Sequence, residues 1–150
     1  MPVTVTDNAT PMLEAIRARL ARGLEPYAPE LEAAARGMFE REFESGGALG
    51  RSGRWRELSP ATMRRKGAGA WDVLDNTGEL RASLASPESP YAYAQLSPDL
   101  MTLAVGTLVP YAPYHQFGTR NMPARPLVPD EVPEDERRRW TQLVSDRLLG

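Results

Sequence analysis

The feature that most limits the possible folds is a proline-rich stretch near the C-terminus, with Pro123, Pro126 and Pro129 at a spacing of three. Proline has no backbone N–H to donate, so this segment cannot form a central strand of a sheet. Arg125 precedes a proline and is therefore held in an extended conformation. We predict a proline-rich arm over about residues 119–130 that runs along an edge or outward from the domain.

The residues before this arm predict a strand and a short helix. Leu100–Val105 alternates apolar and other residues, which is typical of a strand. Pro110 is suited to the first position of a helix that ends at Gly118. This helix carries a group of aromatic residues that we expect to pack on the sheet: Tyr111, Tyr114, His115 and Phe117.

The remaining pattern predicts an α+β fold in a single domain. Tyr91–Leu96 pairs with Leu100–Val105 through a type I turn at Ser97-Pro98-Asp99. We expect a small antiparallel sheet packed with N-terminal helices and with a C-terminal helix over Glu134–Leu149. Pro2–Thr6 reads as a further short strand.

Three helices carry apolar stripes that we expect to face the core. Their residues are Leu13, Ile16 and Leu20 in the first; Leu31, Ala35, Met38, Phe39 and Phe43 in the second; and Trp140, Leu143, Val144 and Leu148 in the last. The charged residues of the second helix are expected to form its solvated side: Arg36, Glu40, Arg41, Glu42 and Glu44.

Composition excludes several kinds of protein. The chain has no cysteine, which excludes disulfides, thiolate metal sites and cysteine catalysis. The net charge of −2 gives no overall reason to expect nucleic-acid or membrane binding. No apolar run is long enough to span a membrane, and the N-terminus lacks a signal-peptide pattern. The expected compartment is the cytoplasm.

One basic segment departs from this balance, with a single acid, Glu57, among six cations. The cations are Arg51, Arg54, Arg56, Arg64, Arg65 and Lys66. Glycines at positions 46, 47, 50 and 53 predict a mobile basic loop over about residues 46–58, and Trp55 is expected to anchor it. The segment either faces DNA phosphates, faces an acidic protein surface, or is a solvated loop.

The pattern predicts no enzyme and no cofactor or metal site. His115 is the only histidine, and no carboxylates stand near it at metal-ligand spacing. The serines at positions 83, 86 and 89 have no nucleophile-elbow context. We expect His115 to be a packed, hydrogen-bonded residue that orients the aromatic turn.

Four motifs, in order, resemble those of the phage virion morphogenesis family of the Mu type, the tail-completion proteins of tailed phages. They are Trp55-x-x-Leu58-Ser59-Pro60-Ala61-Thr62 with Lys66; Leu74-x-x-Thr77-Gly78-x-Leu80-x-x-Ser83-Leu84; Val105-Gly106 with Tyr111-Ala112-x-x-His115-Gln116-Phe117-Gly118-Thr119; and Pro123-Ala124-Arg125-Pro126. The resemblance covers nearly the whole chain. The sequence departs from the pattern at Leu127, where an aromatic residue is expected, and in the glycine-rich loop, which lacks a proline-aspartate pair.

The resemblance implies a structural protein of the head–tail neck that acts in tail completion, as a ring around the DNA channel. A hexameric ring matches the six-fold tail, and ring closure requires that one patch meets a different patch on the next subunit. The implied neighbours are a head-closure or connector protein, a tail terminator and the tail tube, with non-specific DNA contact in the channel. The implied location is the virion, after assembly in the host cytoplasm.

Two patches are the candidates for these contacts. The first is the aromatic turn with the arm: Tyr111, Tyr114, His115, Phe117, Arg120 and Arg125. The second is the basic segment. Arg125 is expected to reach outward and grip a carboxylate on an adjacent subunit through two parallel hydrogen bonds. The alternative functions are a tail terminator that caps tube polymerisation, a head-closure protein, and a small nucleic-acid-binding domain.

Overall fold

The computed structural model describes residues 9–66, 74 and 77–149, and within them the chain forms six α-helices and one hairpin. The helices are α1 (Ala9–Ala21), α2 (Ala28–Glu44), α3 (Pro60–Lys66), α4 (Glu79–Ala85), α5 (Ala112–Phe117) and α6 (Glu134–Leu149), and the strands are β1 (Ala92–Leu96) and β2 (Leu103–Thr107). A single 3₁₀ turn, Glu25–Tyr27, precedes α2. The predicted α+β class, with a small antiparallel sheet packed against helices, is confirmed. The predicted strand at Pro2–Thr6 lies outside the described residues.

The hairpin forms where the alternating pattern predicts it, but its second strand begins later. β1 and β2 pair antiparallel from Ala92 opposite Thr107 to Leu96 opposite Leu103. The turn between them spans residues 97–102, which is longer than predicted, and within it the Asp99 carboxylate accepts a hydrogen bond from the Met101 amide at 3.0 Å. Leu100 takes a positive φ of 61° within this turn.

The core is one cluster built around α2 and α4. Met38, Phe39 and Phe43 of α2 and Leu80 and Leu84 of α4 are all buried. Further members come from outside these helices: Trp55, Val109, Ala112 and Leu127. The predicted apolar face of α2 is therefore confirmed in its C-terminal half, where burial of large apolar side chains stabilises the fold.

The predicted solvated side of α2 is wrong at two charged residues. Arg36 is only 3% exposed and Glu42 only 1%. Arg36 Nη1 donates to the carbonyl oxygens of Ser83 at 3.3 Å and Leu84 at 2.9 Å, at the end of α4. These carbonyls have no partner inside their own helix, so a buried arginine compensates for them.

The predicted core-facing stripe of α1 is also wrong. Leu13 is 65% exposed and Leu20 is 57% exposed, while Ile16 is half-buried. Two residues of this stripe, Ile16 and Leu20, instead line an open apolar groove of about 680 Å³ between α1 and α6. Ile16, Leu20, Leu31, Trp140 and Val144 line this groove.

The prediction that the proline-rich segment projects outward as an arm is wrong, and its alternative course along an edge stays a prediction. Leu127 is 2% exposed and belongs to the core. The Gln116 side chain satisfies the backbone here, because its Oε1 accepts from the amides of Leu127 at 2.8 Å and Val128 at 3.0 Å. Its Nε2 donates to the Val128 carbonyl at 3.1 Å. The Gln116 side chain thus replaces the backbone hydrogen bonds between strands that the prolines cannot form.

Candidate interaction site

A cleft of about 1360 Å³ lies where α3, the start of α4, α5 and the extended segment 121–125 meet. Its wall contains cations, carboxylates and neutral polar groups in close succession. The charged and polar lining residues are Arg56, Glu57, Ser59, Thr62, Arg65, Thr77, Glu79, Tyr111, His115, Asn121 and Arg125. Residues of both predicted patches therefore line the same cleft, although about sixty positions of sequence separate them.

Arg125 holds the floor of this cleft together rather than extending outward. Its side chain is 6% exposed. Its Nε donates to the Arg56 carbonyl at 2.8 Å, its Nη2 donates to the Glu57 carbonyl at 3.1 Å, and its own amide donates to the His115 carbonyl at 2.7 Å. The expectation that this guanidinium grips a carboxylate on another subunit is wrong for these two nitrogens, because backbone carbonyls already occupy them.

The charge on Arg125 has no carboxylate paired with it among the described residues. Burial lowers the pKa of its guanidinium, and the nearby positive charge of Arg56 lowers it further. An arginine remains protonated at any physiological pH despite such a shift. The cleft therefore has two adjacent positive charges, Arg56 and Arg125, and no described acid bridges them.

His115 lies half-buried beside Arg125 and Tyr111. Its ring meets the Tyr111 ring edge-to-face at a centroid distance of 5.9 Å, which agrees with the expected packing role. The expected hydrogen bond is not formed at Nδ1, which is buried and has no partner within the part of the chain that the structure describes. Burial, and secondly Arg125, lowers the pKa of His115 below its ordinary 6.5, so its imidazole is neutral at pH 7.

The outer face of α5 exposes two aromatic side chains next to the cleft. Tyr114 is 59% exposed and Phe117 is 79% exposed, one turn apart on the helix. The expectation that this aromatic group packs on the sheet is wrong for these two residues. Gly118 follows with φ of 73°, and a Cβ there would lie 2.7 Å from the Ala124 amide nitrogen. The chain therefore turns sharply after Phe117, through a conformation that favours glycine. Arg120 is exposed beyond the turn.

The basic loop is tied to the domain at both of its ends. The Trp55 indole N–H donates to the Pro126 carbonyl at 2.7 Å, and its ring packs edge-to-face on Phe43 at 5.2 Å. The predicted anchoring role of Trp55 is confirmed. At the other end Arg51 pairs with Glu131, and its amide donates to the Asp130 carboxylate at 2.7 Å. The mobility of the loop stays a prediction.

The structure divides the five predicted basic residues whose side chains it describes into three groups. Arg56 and Arg65 line the cleft, whereas Arg54 and Arg64 are exposed outside it. Arg51 is neutralised by Glu131. Lys66 ends α3, and its side chain lies outside the described part of the chain. Of these five described cations, two thus contribute to the cleft.

Sequence reasoning missed Gln116 and Asp130 as organising residues of this site. Gln116 is a single amide within an aromatic turn, and Asp130 is one acid in an acidic run. Nothing in the local pattern distinguishes them. Their importance arises from backbone groups eleven to 79 positions away that they hold by hydrogen bonds.

No group of three or more possible metal ligands occurs within residues 9–66, 74 and 77–149. Over the same residues no helix is both long and apolar enough to cross a bilayer. Comparison of the chain with protein-family models, with curated proteins and with solved structures finds no match in any of the three.

Proposed function

We propose that this chain is a structural protein of the head–tail neck of a tailed phage, which completes the tail and joins it to the head. It acts as a ring, of six copies if it matches the tail, around the channel that DNA traverses. Its neighbours are further copies of itself and other neck and tail proteins: a head-closure or connector protein, a tail terminator and the tail tube. In this proposal the protein is not an enzyme, and its site of action is the virion.

The observation that carries the proposal is the meeting of four separate motifs at one place. The stretches at 55–66, 74–84, 105–119 and 123–126 carry the resemblance to the virion morphogenesis family, and each contributes lining residues to the cleft. A resemblance that arose from unrelated short matches would not be expected to gather in space. The gathering therefore supports treating the four motifs as one functional unit.

The exposed aromatic face of α5 supports a role in assembly. Tyr114 and Phe117 expose large apolar surfaces beside a polar cleft, and such patches are typical of protein–protein contacts. The apolar groove between α1 and α6 lies on other elements of the fold. Different patches on one subunit are what a closed ring requires, since each interface then joins two unlike surfaces.

The test is the state of assembly of the purified chain and of one variant. Tyr114→Ser with Phe117→Ser should abolish ring formation, observed by light scattering after size exclusion and by electron microscopy, while the melting temperature is retained. Met101→Ser is the matched control, because Met101 is 64% exposed on the distant hairpin turn. Rings that form equally well in both variants would contradict a role of α5 in the interface between subunits. A wild-type chain that never forms rings, even with neck partners, would contradict the proposal.

Complementation of a phage that lacks this protein separates tail completion from the tail-terminator alternative. Loss of a completion protein should give tails of normal length that do not join heads. Loss of a terminator, which caps tube polymerisation, should give tails of irregular length. Tail lengths measured in micrographs therefore assign the position in the neck.

A second candidate function, nucleic-acid binding, is favoured by one observation. Arg54 and Arg64 are exposed and have no ion-pair partner among the described residues. In a channel they would meet phosphates without sequence preference, so the free protein should bind DNA weakly. Tight, sequence-selective binding by the monomer, with a steep dependence on salt, would favour the nucleic-acid-binding alternative instead.

A further inference from the structure

Among the described residues, three arginines and two glutamates line the cleft. Arg56, Arg65 and Arg125 line it, and no described carboxylate forms an ion pair with any of them. Glu57 and Glu79 lie on the same wall, where Glu79 accepts a long hydrogen bond of 3.4 Å from the Tyr111 hydroxyl. A ligand that fits must place negative charge near the arginines and avoid it near the two acids.

The size of the cleft and its neutral polar groups point to a chain rather than a small anion. Its volume of about 1360 Å³ exceeds the roughly 300–1,000 Å³ that is ordinary for pockets that bury small molecules. Asn121, Thr62 and Thr77 line the cleft, and their side chains carry both hydrogen-bond donors and acceptors. These groups suit the alternating amides and carbonyls of an extended peptide.

A nucleic-acid strand fits this distribution less well. Every nucleotide carries a negative charge, so a strand that followed the cleft would bring phosphates against both Glu57 and Glu79. A peptide can carry one carboxylate toward Arg56 and Arg65 and neutral residues elsewhere. The mixed charge of the wall therefore favours a protein segment.

We infer that the cleft binds an extended segment, bearing a carboxylate, from a neighbouring protein subunit. Arg56 and Arg65 donate hydrogen bonds to that carboxylate, and Arg125 supplies a fixed positive charge from below while its Nε and Nη2 remain bound to backbone carbonyls. The inference deepens the proposed function and rests on it, because the segment is supplied by a partner in the assembled neck.

The test uses a pool of acetylated hexapeptide amides with aspartate at one fixed position, and a matched pool with asparagine there. Titration into the ¹⁵N-labelled chain should shift the side-chain N–H signals of Arg56 and Arg65, with the aspartate pool binding about tenfold more tightly. Arg56→Gln with Arg65→Gln should weaken binding of the aspartate pool about tenfold. Arg54→Gln with Arg64→Gln is the matched control, since it removes the same charge outside the cleft and should leave binding unchanged.

Three outcomes would overturn the inference: equal binding of the two pools or no binding of either, equal losses in the cleft variant and its control, or tighter binding of inorganic phosphate or an oligothymidylate. The last would assign the cleft to phosphates. Ring formation is measured separately, so failure of the inference can be distinguished from failure of the proposed function. Selective binding by a chain that never forms rings would overturn the proposed function alone. Ring formation without selective binding would overturn only the inference about what occupies the cleft.

Discussion

Arg125 joins the two segments that form the cleft, because its Nε donates to the backbone carbonyl of Arg56 at 2.8 Å. The contact spans 69 positions of sequence. A second bond from Nη2 to the Glu57 carbonyl makes the guanidinium bridge two consecutive carbonyls of the basic segment. The extended segment and the basic loop are therefore one structural unit, not two independent appendages.

Arg125→Ala should destabilise the fold by about 2–4 kcal/mol, since it removes two charge-assisted hydrogen bonds and leaves carbonyls without a partner. The measurement is the free energy of unfolding in urea. Arg120→Ala, which removes an exposed arginine in the same segment, should change it by less than about 0.5 kcal/mol. A full-stability Arg125→Ala variant with a defect only in assembly would instead restore the outward-facing role expected from sequence.

Arg36→Ala should lower the free energy of unfolding by about 3 kcal/mol, because three carbonyl groups inside the domain lose their hydrogen-bond donor. These are the carbonyls of Ser83 and Leu84 and, at 3.3 Å from Nη2, that of Tyr93. Since the bonds join α2 to α4 and β1, amide exchange should accelerate in all three elements. Glu44→Ala, an exposed position on the same helix, is the control and should leave both measurements nearly unchanged. Comparable losses in the two variants would show that Arg36 has no special role.

Gly47→Ala should destabilise the fold more than Gly53→Ala, although both glycines have a positive φ, of 87° and 71° respectively. At Gly53 a Cβ meets no atom within 4 Å, so the cost is backbone strain alone, about 1–2 kcal/mol. At Gly47 it would lie 2.3 Å from Cδ1 of the buried Trp55 ring. The Gly47 variant should therefore show the lower melting temperature and an altered Trp55 environment in near-ultraviolet circular dichroism, and equal melting temperatures would contradict this packing.

Ionisation of Glu42 should lower the free energy of unfolding as pH rises above about 4.5. Burial raises the pKa of its carboxyl above its ordinary 4.5, and the charge of Asp130 adds to this, while a hydrogen bond from the Leu49 amide opposes it. The folded state therefore holds this proton more tightly than the unfolded state, so the stability that it contributes is lost as pH rises through the raised pKa.

The measurement for Glu42 is the difference in unfolding free energy between wild type and Glu42→Gln from pH 4 to pH 8. This difference should move in favour of the variant as pH increases, because glutamine has no proton to lose and its Oε1 can still accept from Leu49. Glu44→Gln makes the same change of charge at an exposed site and is the control. A difference that is constant with pH, or that favours wild type increasingly at high pH, would contradict the burial of a carboxylate at position 42.

Local patterns were sufficient for most of the secondary structure. The C-terminal helix follows from acids before bases at Glu134–Leu149, α3 from Ser59-Pro60, and the hairpin from two alternating runs around Ser97-Pro98-Asp99. Each depends on interactions between residues a few positions apart. The anchoring of Trp55 was also predictable, since a lone large aromatic residue in a charged loop gains most by burial.

Side-chain environments were the part that sequence alone could not determine. The same helical period predicts burial for Leu13 and Leu20 and exposure for Arg36 and Glu42, and the structure reverses all four. Periodicity shows which residues share a face, but the position of the other helices decides whether that face is covered and whether a buried charge finds a partner.

The sequence by itself determined that residues 123–129 cannot pair as a central strand, because proline lacks the N–H that a ladder requires. Only the tertiary structure decided where the segment goes. Gln116 binds the amides of Leu127 and Val128, and Arg125 binds the carbonyls of Arg56 and Glu57, so the segment is folded against the domain. Such hydrogen bonds form between groups that are brought together by packing, and no rule of local spacing contains them.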